Sequence, residues 1–121
     1  MSAWTWLAVA LLGGVGASAR FLIDSLISVR AVGDLPLGTL AVNTSGSLLL
    51  GLLVGLAVTG NALVLAGTAT LGSYTTFSTW MLETQRLAED AKSPAAVLNV
   101  LLSLLDGVGA AALGRSIGAH A

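Results

Sequence analysis

Four apolar stretches, each about as long as a bilayer is thick, take up almost the whole of this chain. They run from Trp4 to Ile27, Leu37 to Val58, Ala62 to Leu87 and Ala95 to Ile117. A helix needs roughly 20 apolar residues to cross the hydrocarbon core, and only helices and closed barrels satisfy every backbone group there. The breaks are short. Residues 29–36 (VRAVGDLP) hold two charges, a glycine and a proline; 59–61 (TGN) form a tight turn; 88–94 (AEDAKSP) are charged and put Pro94 at a helix start. The pattern predicts an all-α membrane protein: one domain over residues 1–121, four transmembrane helices, no linker to a second domain. Composition agrees. Of 121 residues 55% are hydrophobic and 9% charged, against about 25% charged in a soluble domain.

Several function classes drop out. A net charge of −1 makes no case for nucleic acid. There is no cysteine, which removes disulfides, thiolate metal sites and thiol catalysis. The one histidine, His120, lies in the tail, so a hydrolase-type triad has no base to use. No Lys or Arg precedes the first apolar run, as a secretory signal would require. That run reads as a retained helix with Trp4 and Trp6 as interfacial anchors. Arg30, Arg86 and Lys92 lie on one side and Arg115 on the other. The bias favours both termini outside, although a chain this poor in charge fits insertion either way.

In lipid, helices associate by close packing, which small residues permit. The 15 glycines are placed accordingly. Gly13, Gly14, Gly16, Ala17 and Ala19 give the first helix a small-residue face, and Gly51/Gly55 and Gly114/Gly118 form two GxxxG pairs. Such pairs serve equally within one bundle or between two chains.

Polar side chains inside the spans are costly and face a bundle interior or a water-filled path. Arg20 is followed one turn later by Asp24, either as an i,i+4 pair at the interface or as a group at a pore mouth. Thr39, Asn43 and Ser47 recur every four residues, and so do Asn99, Ser103 and Gly107. An Asn amide offers two N–H donors, which suit an anion or a neighbouring helix. The stretch GSYTTFSTWMLET, residues 72–84, crowds hydroxyls around Phe77. With Gly67 and Gly72 it predicts a third helix broken near its middle, exposing carbonyls that can hold a cation. Asp106 sits near the centre of the fourth span, where an unpaired carboxylate costs about 2.5–3.5 kcal/mol. The expectation is that it pairs with Arg20 or is protonated.

Three motifs then stand in register. GxGAxxR spans Gly14 to Arg20; PxGTLxVN spans Pro36 to Asn43, with Gly46 three residues on; TTFST spans Thr75 to Thr79, with Glu83 after it. Together they resemble the small bacterial fluoride channels of the Fluc or CrcB family, over the whole chain. The resemblance implies an antiparallel, dual-topology dimer with two pores, exporting fluoride passively across the bacterial inner membrane to relieve its toxicity. It implies a structural Na⁺ at the dimer centre, held by backbone carbonyls of Gly72 and Thr75. It implies pores lined by Thr39, Asn43, Phe77, Ser78, Thr79, Trp80 and Ser103, with Arg20, Gly46 and Glu83 as structural residues. The partners are fluoride, the lipid bilayer and a second subunit.

The physics of fluoride fits such a lining. A small, tightly hydrated anion needs donors in fixed places to replace its water. Ring edges carry partial positive charge, whereas fixed lysines would hold the ion too well. Two positions depart from the pattern. Trp80 stands where the family has a second Phe, and Gly107 where it often has a hydroxyl. With the charge bias they suggest a heterodimer with a sister chain as the alternative to a homodimer. A proton-coupled small multidrug exporter also has four helices, but it needs an acidic residue in the first, and residues 4–19 contain none. A non-conducting assembly subunit would explain the glycine faces but not two polar stripes. Nothing resembles an enzyme site.

Overall fold

The computed structural model describes residues 1–121 and is entirely helical. α1 covers Ala3–Ser28, α2 Leu37–Gly55 and α6 Ser93–Ala119. These three are long and apolar enough to cross a membrane. Between α2 and α6 the chain forms α3 (Gly60–Leu63), a π-helix (Val64–Leu71), α4 (Gly72–Tyr74) and, after a gap, α5 (Ser78–Glu89). No single piece of this third segment has the length to span.

Local chemistry sets most boundaries. The Ser2 hydroxyl caps α1 by accepting the Thr5 N–H at 3.2 Å, and Pro94 lies in the first turn of α6. α2 stops at Gly55, three residues before the expected Val58. Ala57 takes a left-handed φ of 59°. The Val58 N–H then bonds to the Leu53 carbonyl and the Ala57 N–H to that of Val54, a Schellman close that apolarity alone does not reveal. Ala91, at φ 60°, ends α5 in the same way, with Lys92 bonded back to Leu87 and Ala91 to Ala88. The turn expected at 59–61 is therefore displaced toward α2, and Gly60 already opens the next helix.

Few side chains are buried. Val42, Ala69, Tyr74, Leu87 and Ala96 are the apolar ones, while Trp4 is 78% and Phe21 71% exposed. Large residues therefore cover the outside, and the inside is closed by small ones. A Cβ at Gly51 or Gly55 would run into the Ala111 or Arg115 carbonyl of α6. One at Gly114 or Gly118 would meet the Leu48 or Leu52 carbonyl of α2. Both GxxxG pairs are thus spent against each other, inside one chain. Gly16 likewise admits the Thr70 carbonyl to α1, and Gly38 admits Asp24 and Ser28 to the start of α2.

The connection after α1 is tied to the one before α6 by Lys92 and Asp34, 2.8 Å apart. The hydrogen bond to Asp34 holds the Lys92 ammonium above its ordinary pKa of 10.5. A raised folded pKa means that the pair's contribution is complete at neutral pH and fades as pH rises through the folded value. The Lys92→Met chain is expected to show an unfolding midpoint that depends less on pH than the parent's as the solution is made alkaline, followed by circular dichroism in detergent.

Candidate functional site

Asn43 reaches from α2 to the gap between α4 and α5. Its Oδ1 accepts the Thr76 N–H and its Nδ2 donates to the Thr76 carbonyl, both at 2.8 Å. One side chain thereby satisfies both polar groups of a residue that has left the helix, as an apolar surrounding demands. Thr75 is extended, at φ −79° and ψ 161°. The Thr76 hydroxyl in turn accepts the Thr79 N–H at 3.2 Å and restarts the chain into α5. Gly46 makes room for the gap, since a Cβ there would strike the Thr75 methyl and press on the Tyr74 ring. The Tyr74 hydroxyl donates to Ser45 at 2.9 Å, and Ser45 donates to the Val42 carbonyl.

Two hydrogen bonds of a regular helix are lost to these side chains. The Thr76 N–H would otherwise serve the Gly72 carbonyl and the Thr79 N–H that of Thr75. Asn43 and Thr76 take them instead. The earlier hydroxyls do return to their own helix: Thr70 donates to the Leu65 carbonyl at 2.7 Å and Thr75 to that of Leu71 at 3.1 Å. Thr70 spans five residues because its segment is π-helical, a geometry that tends to occur at functional sites.

On one side of the gap lies an open groove of about 650 Å³ between α2, the π-helix, α5 and α6. Asn43, Ser47, Thr68, Gly72, Thr75, Thr76, Phe77, Trp80 and Ser103 line it, and no charged side chain does. Phe77 is 70% exposed. It meets Trp80 edge to face, with centroids 5.7 Å apart at 86°. Gly107 leaves the wall opposite Ser47 bare. On the other side is a smaller polar recess of about 240 Å³, lined by Arg20, Asp24, Thr39, Thr76 and Thr79. Thr76 borders both cavities.

The expected site residues are therefore divided. Asn43, Gly72, Thr75, Phe77, Trp80 and Ser103 meet at the groove, while Arg20, Thr39 and Thr79 meet at the recess. Thr39 leaves the stripe it was read with. It is 3% exposed and donates its hydroxyl to Glu83 of α5. Two four-residue steps rotate a helix by about 80° beyond full turns, and here Thr39 borders the recess while Ser47 lines the groove. Ser78 is exposed and lines neither cavity. Asn99 also leaves its stripe, being buried against α5. The indole N–H of Trp80 is occupied, donating to the main-chain carbonyl of Asn99 at 3.3 Å.

Asp106 requires a correction. It does not pair with Arg20 but accepts a hydrogen bond from Thr44 of α2. α6 packs on α2 and α5, so the carboxylate never approaches the guanidinium on α1. Nor do Arg20 and Asp24 form an ion pair. The chain's one salt bridge is Lys92–Asp34, and Asp24 accepts from Ser28 at 3.1 Å. Asp106→Asn keeps an acceptor for Thr44, so the yield of monodisperse protein is expected to hold. Thr44→Val, which strands the carboxylate, is expected to lower it by the equivalent of about 1–3 kcal/mol. Size-exclusion profiles of the two variants check this.

Thr44 and Thr84 were given no role in the sequence, and Thr76 was read only as one of the hydroxyls around Phe77. Thr76 alone had a local signal, a hydroxyl three residues before a helical N–H.

The model for "CrcB-like protein, Camphor Resistance (CrcB)" matches residues 7–115. A protein of Mycolicibacterium paratuberculosis named fluoride-specific ion channel FluC 2 is 53% identical, over 93% of this chain and 92% of its own length. A Mycobacterium tuberculosis protein of the same name is 50% identical, over 93% of this chain and 89% of its own. The Nocardia farcinica fluoride-specific ion channel FluC 1 is 47% identical, over 86% and 74%.

Proposed function

The chain belongs to the CrcB-like family, a family of ion channels and not of enzymes, and on that premise we propose that it is a passive, fluoride-selective channel of the bacterial inner membrane. The observation that carries this reading is the groove: an amide, hydroxyls and two aromatic rings, with no charged group among them. Fluoride gives up its water only to donors already in place. Asn43 keeps one N–H of its Nδ2 after serving Thr76. Ser103 and Thr76 add hydroxyls, and Phe77 and the carbon edge of Trp80 add positive ring edges. The uncharged lining lets the ion leave again. Arg20, in the recess beyond Thr76, would draw anions toward one end of the path.

In this reading the third segment completes the bundle as a broken transmembrane helix, and two chains in opposite orientations enclose two pores. The donor set at the gap fits a structural Na⁺. Gly72 and Thr75 both lie at the groove, and the N–H groups that would occupy their carbonyls are held by Asn43 and Thr76. Hard oxygen donors suit a hard cation, and a second chain would double their number. Bound there, Na⁺ would neutralise carbonyl dipoles gathered at the dimer centre. Relatives numbered FluC 1 and FluC 2, with Trp80 in place of a second Phe, support a heterodimer with a sister subunit as the second reading.

The test is efflux from Na⁺-loaded liposomes containing this chain alone, with chloride as control. Fluoride release without chloride release is the expected result. Release only after co-expression with a sister chain selects the heterodimer. Silence in both preparations, from folded protein, removes the channel reading.

A further inference from the structure

We propose that Asn99 is a positioning residue for the aromatic wall of the groove, acting through Thr84 to hold the Trp80 indole in one orientation. The proposal rests on the groove being the ion path. Asn99 lies on α6, is 3% exposed and borders neither cavity described above. A buried amide must find partners, and its partners are all on α5.

Three hydrogen bonds close a ring. Asn99 Nδ2 donates to Thr84 Oγ1 at 2.8 Å. Thr84 Oγ1 donates to the Trp80 carbonyl, also at 2.8 Å. The Trp80 indole N–H donates to the main-chain carbonyl of Asn99 at 3.3 Å. The directions are forced. Thr84 has one hydroxyl proton, given to Trp80, so its oxygen is left to accept the Asn99 amide. The Asn99 side chain therefore acts on the indole indirectly: through Thr84 it fixes α6 against α5, and this keeps its own main-chain carbonyl in reach of the Trp80 ring nitrogen.

The consequence falls on the ring. The χ2 torsion of a Trp side chain is broad in the absence of a partner. Here the nitrogen is turned to α6, and the indole stands at 86° to Phe77, with both residues on the groove. A phenyl ring at position 80 would have no N–H for the Asn99 carbonyl, so the device operates on an indole and not on a phenylalanine.

The experiment uses the full chain in liposomes, with Trp4→Phe and Trp6→Phe leaving Trp80 as the only tryptophan, excited selectively over Tyr74. Thr84→Val and Asn99→Leu are each expected to add a fast component to the Trp80 anisotropy decay. Each is expected to slow fluoride efflux about five- to tenfold, the equivalent of one lost net hydrogen bond. Thr84→Ser restores both. In a Trp80→Phe background, the same two substitutions are expected to change efflux by less than about twofold, because an effect exerted through the indole has nothing left to act on. An unchanged anisotropy decay in Thr84→Val overturns the proposal. So does an equal loss of efflux in the Trp80→Phe background, which marks a plain clamp between α5 and α6. A parent chain that releases no fluoride, with or without a sister chain, overturns the channel reading and the ion-path role of Asn99 with it. A parent that conducts while Thr84→Val matches it in both readouts overturns the positioning role alone.

Discussion

Asn43→Leu is expected to abolish fluoride efflux and to cost roughly 2–6 kcal/mol of stability, because it leaves two backbone groups unpaired at about 1–3 kcal/mol each. The groups are the N–H and carbonyl of Thr76, which no helix serves. Leu matches Asn closely enough in size that packing changes little, so the loss is one of polar satisfaction. Its reach is wide. With the clamp gone nothing ties the gap to α2, and Phe77 and Trp80 beside it lose their fixed place on the groove. Asn43→Asp isolates the donor: its carboxylate still accepts the Thr76 N–H but has nothing to give the carbonyl or an anion. Thermal unfolding in detergent, paired with efflux, reads both effects. Stability within about 1 kcal/mol of the parent for Asn43→Leu would show that the amide does not hold the gap.

Gly114→Val is expected to be the most damaging change away from the groove. The Cβ site at Gly114 is occupied by the Leu48 carbonyl, which is main chain and cannot rotate aside. α2 and α6 must then separate along the seam that both GxxxG pairs close. Overpacking of this kind costs about 1–3 kcal/mol and occasionally more. In lipid, close contact is most of what holds helices together, so the upper end applies. Gly109→Ala, on the same helix, is the control. Nothing lies within 4 Å of a Cβ built there, and alanine is preferred to glycine in a helix interior by about 1 kcal/mol. The expected result is a lower melting temperature for Gly114→Val and an equal or higher one for Gly109→Ala. A loss at Gly109 would instead reveal a second chain packed on that face.

What was legible beforehand was whatever depends on local order along the chain. Hydropathy runs of bilayer length mark α1, α2 and α6, and Pro94 and the charged connections mark ends to within a few residues. The motifs at Gly14–Arg20, Pro36–Asn43 and Thr75–Thr79 were enough to indicate the family. The stop of α2 at Gly55 was not legible, because it rests on an alanine adopting a conformation that sequence assigns to glycine. The failures at the site have a common cause. Periodicity places residues on one helix face but says nothing of which neighbour that face meets. Thr39, Asn43 and Ser47 read as one stripe, yet the first serves Glu83, the second Thr76 and the third the groove.

The sequence alone determined that this is a multi-pass membrane chain, roughly where its three long helices run and that most polar residues within its spans are uncharged. Those properties follow from transfer free energies and backbone satisfaction, which depend on residue type and spacing. Tertiary structure alone decided the partners: Asp106 with Thr44 rather than Arg20, the glycine pairs with each other, the Trp80 N–H with Asn99. A hydrogen bond depends on ångström separations between residues far apart in the chain. In an interior closed by glycines, those separations are set by which backbones touch.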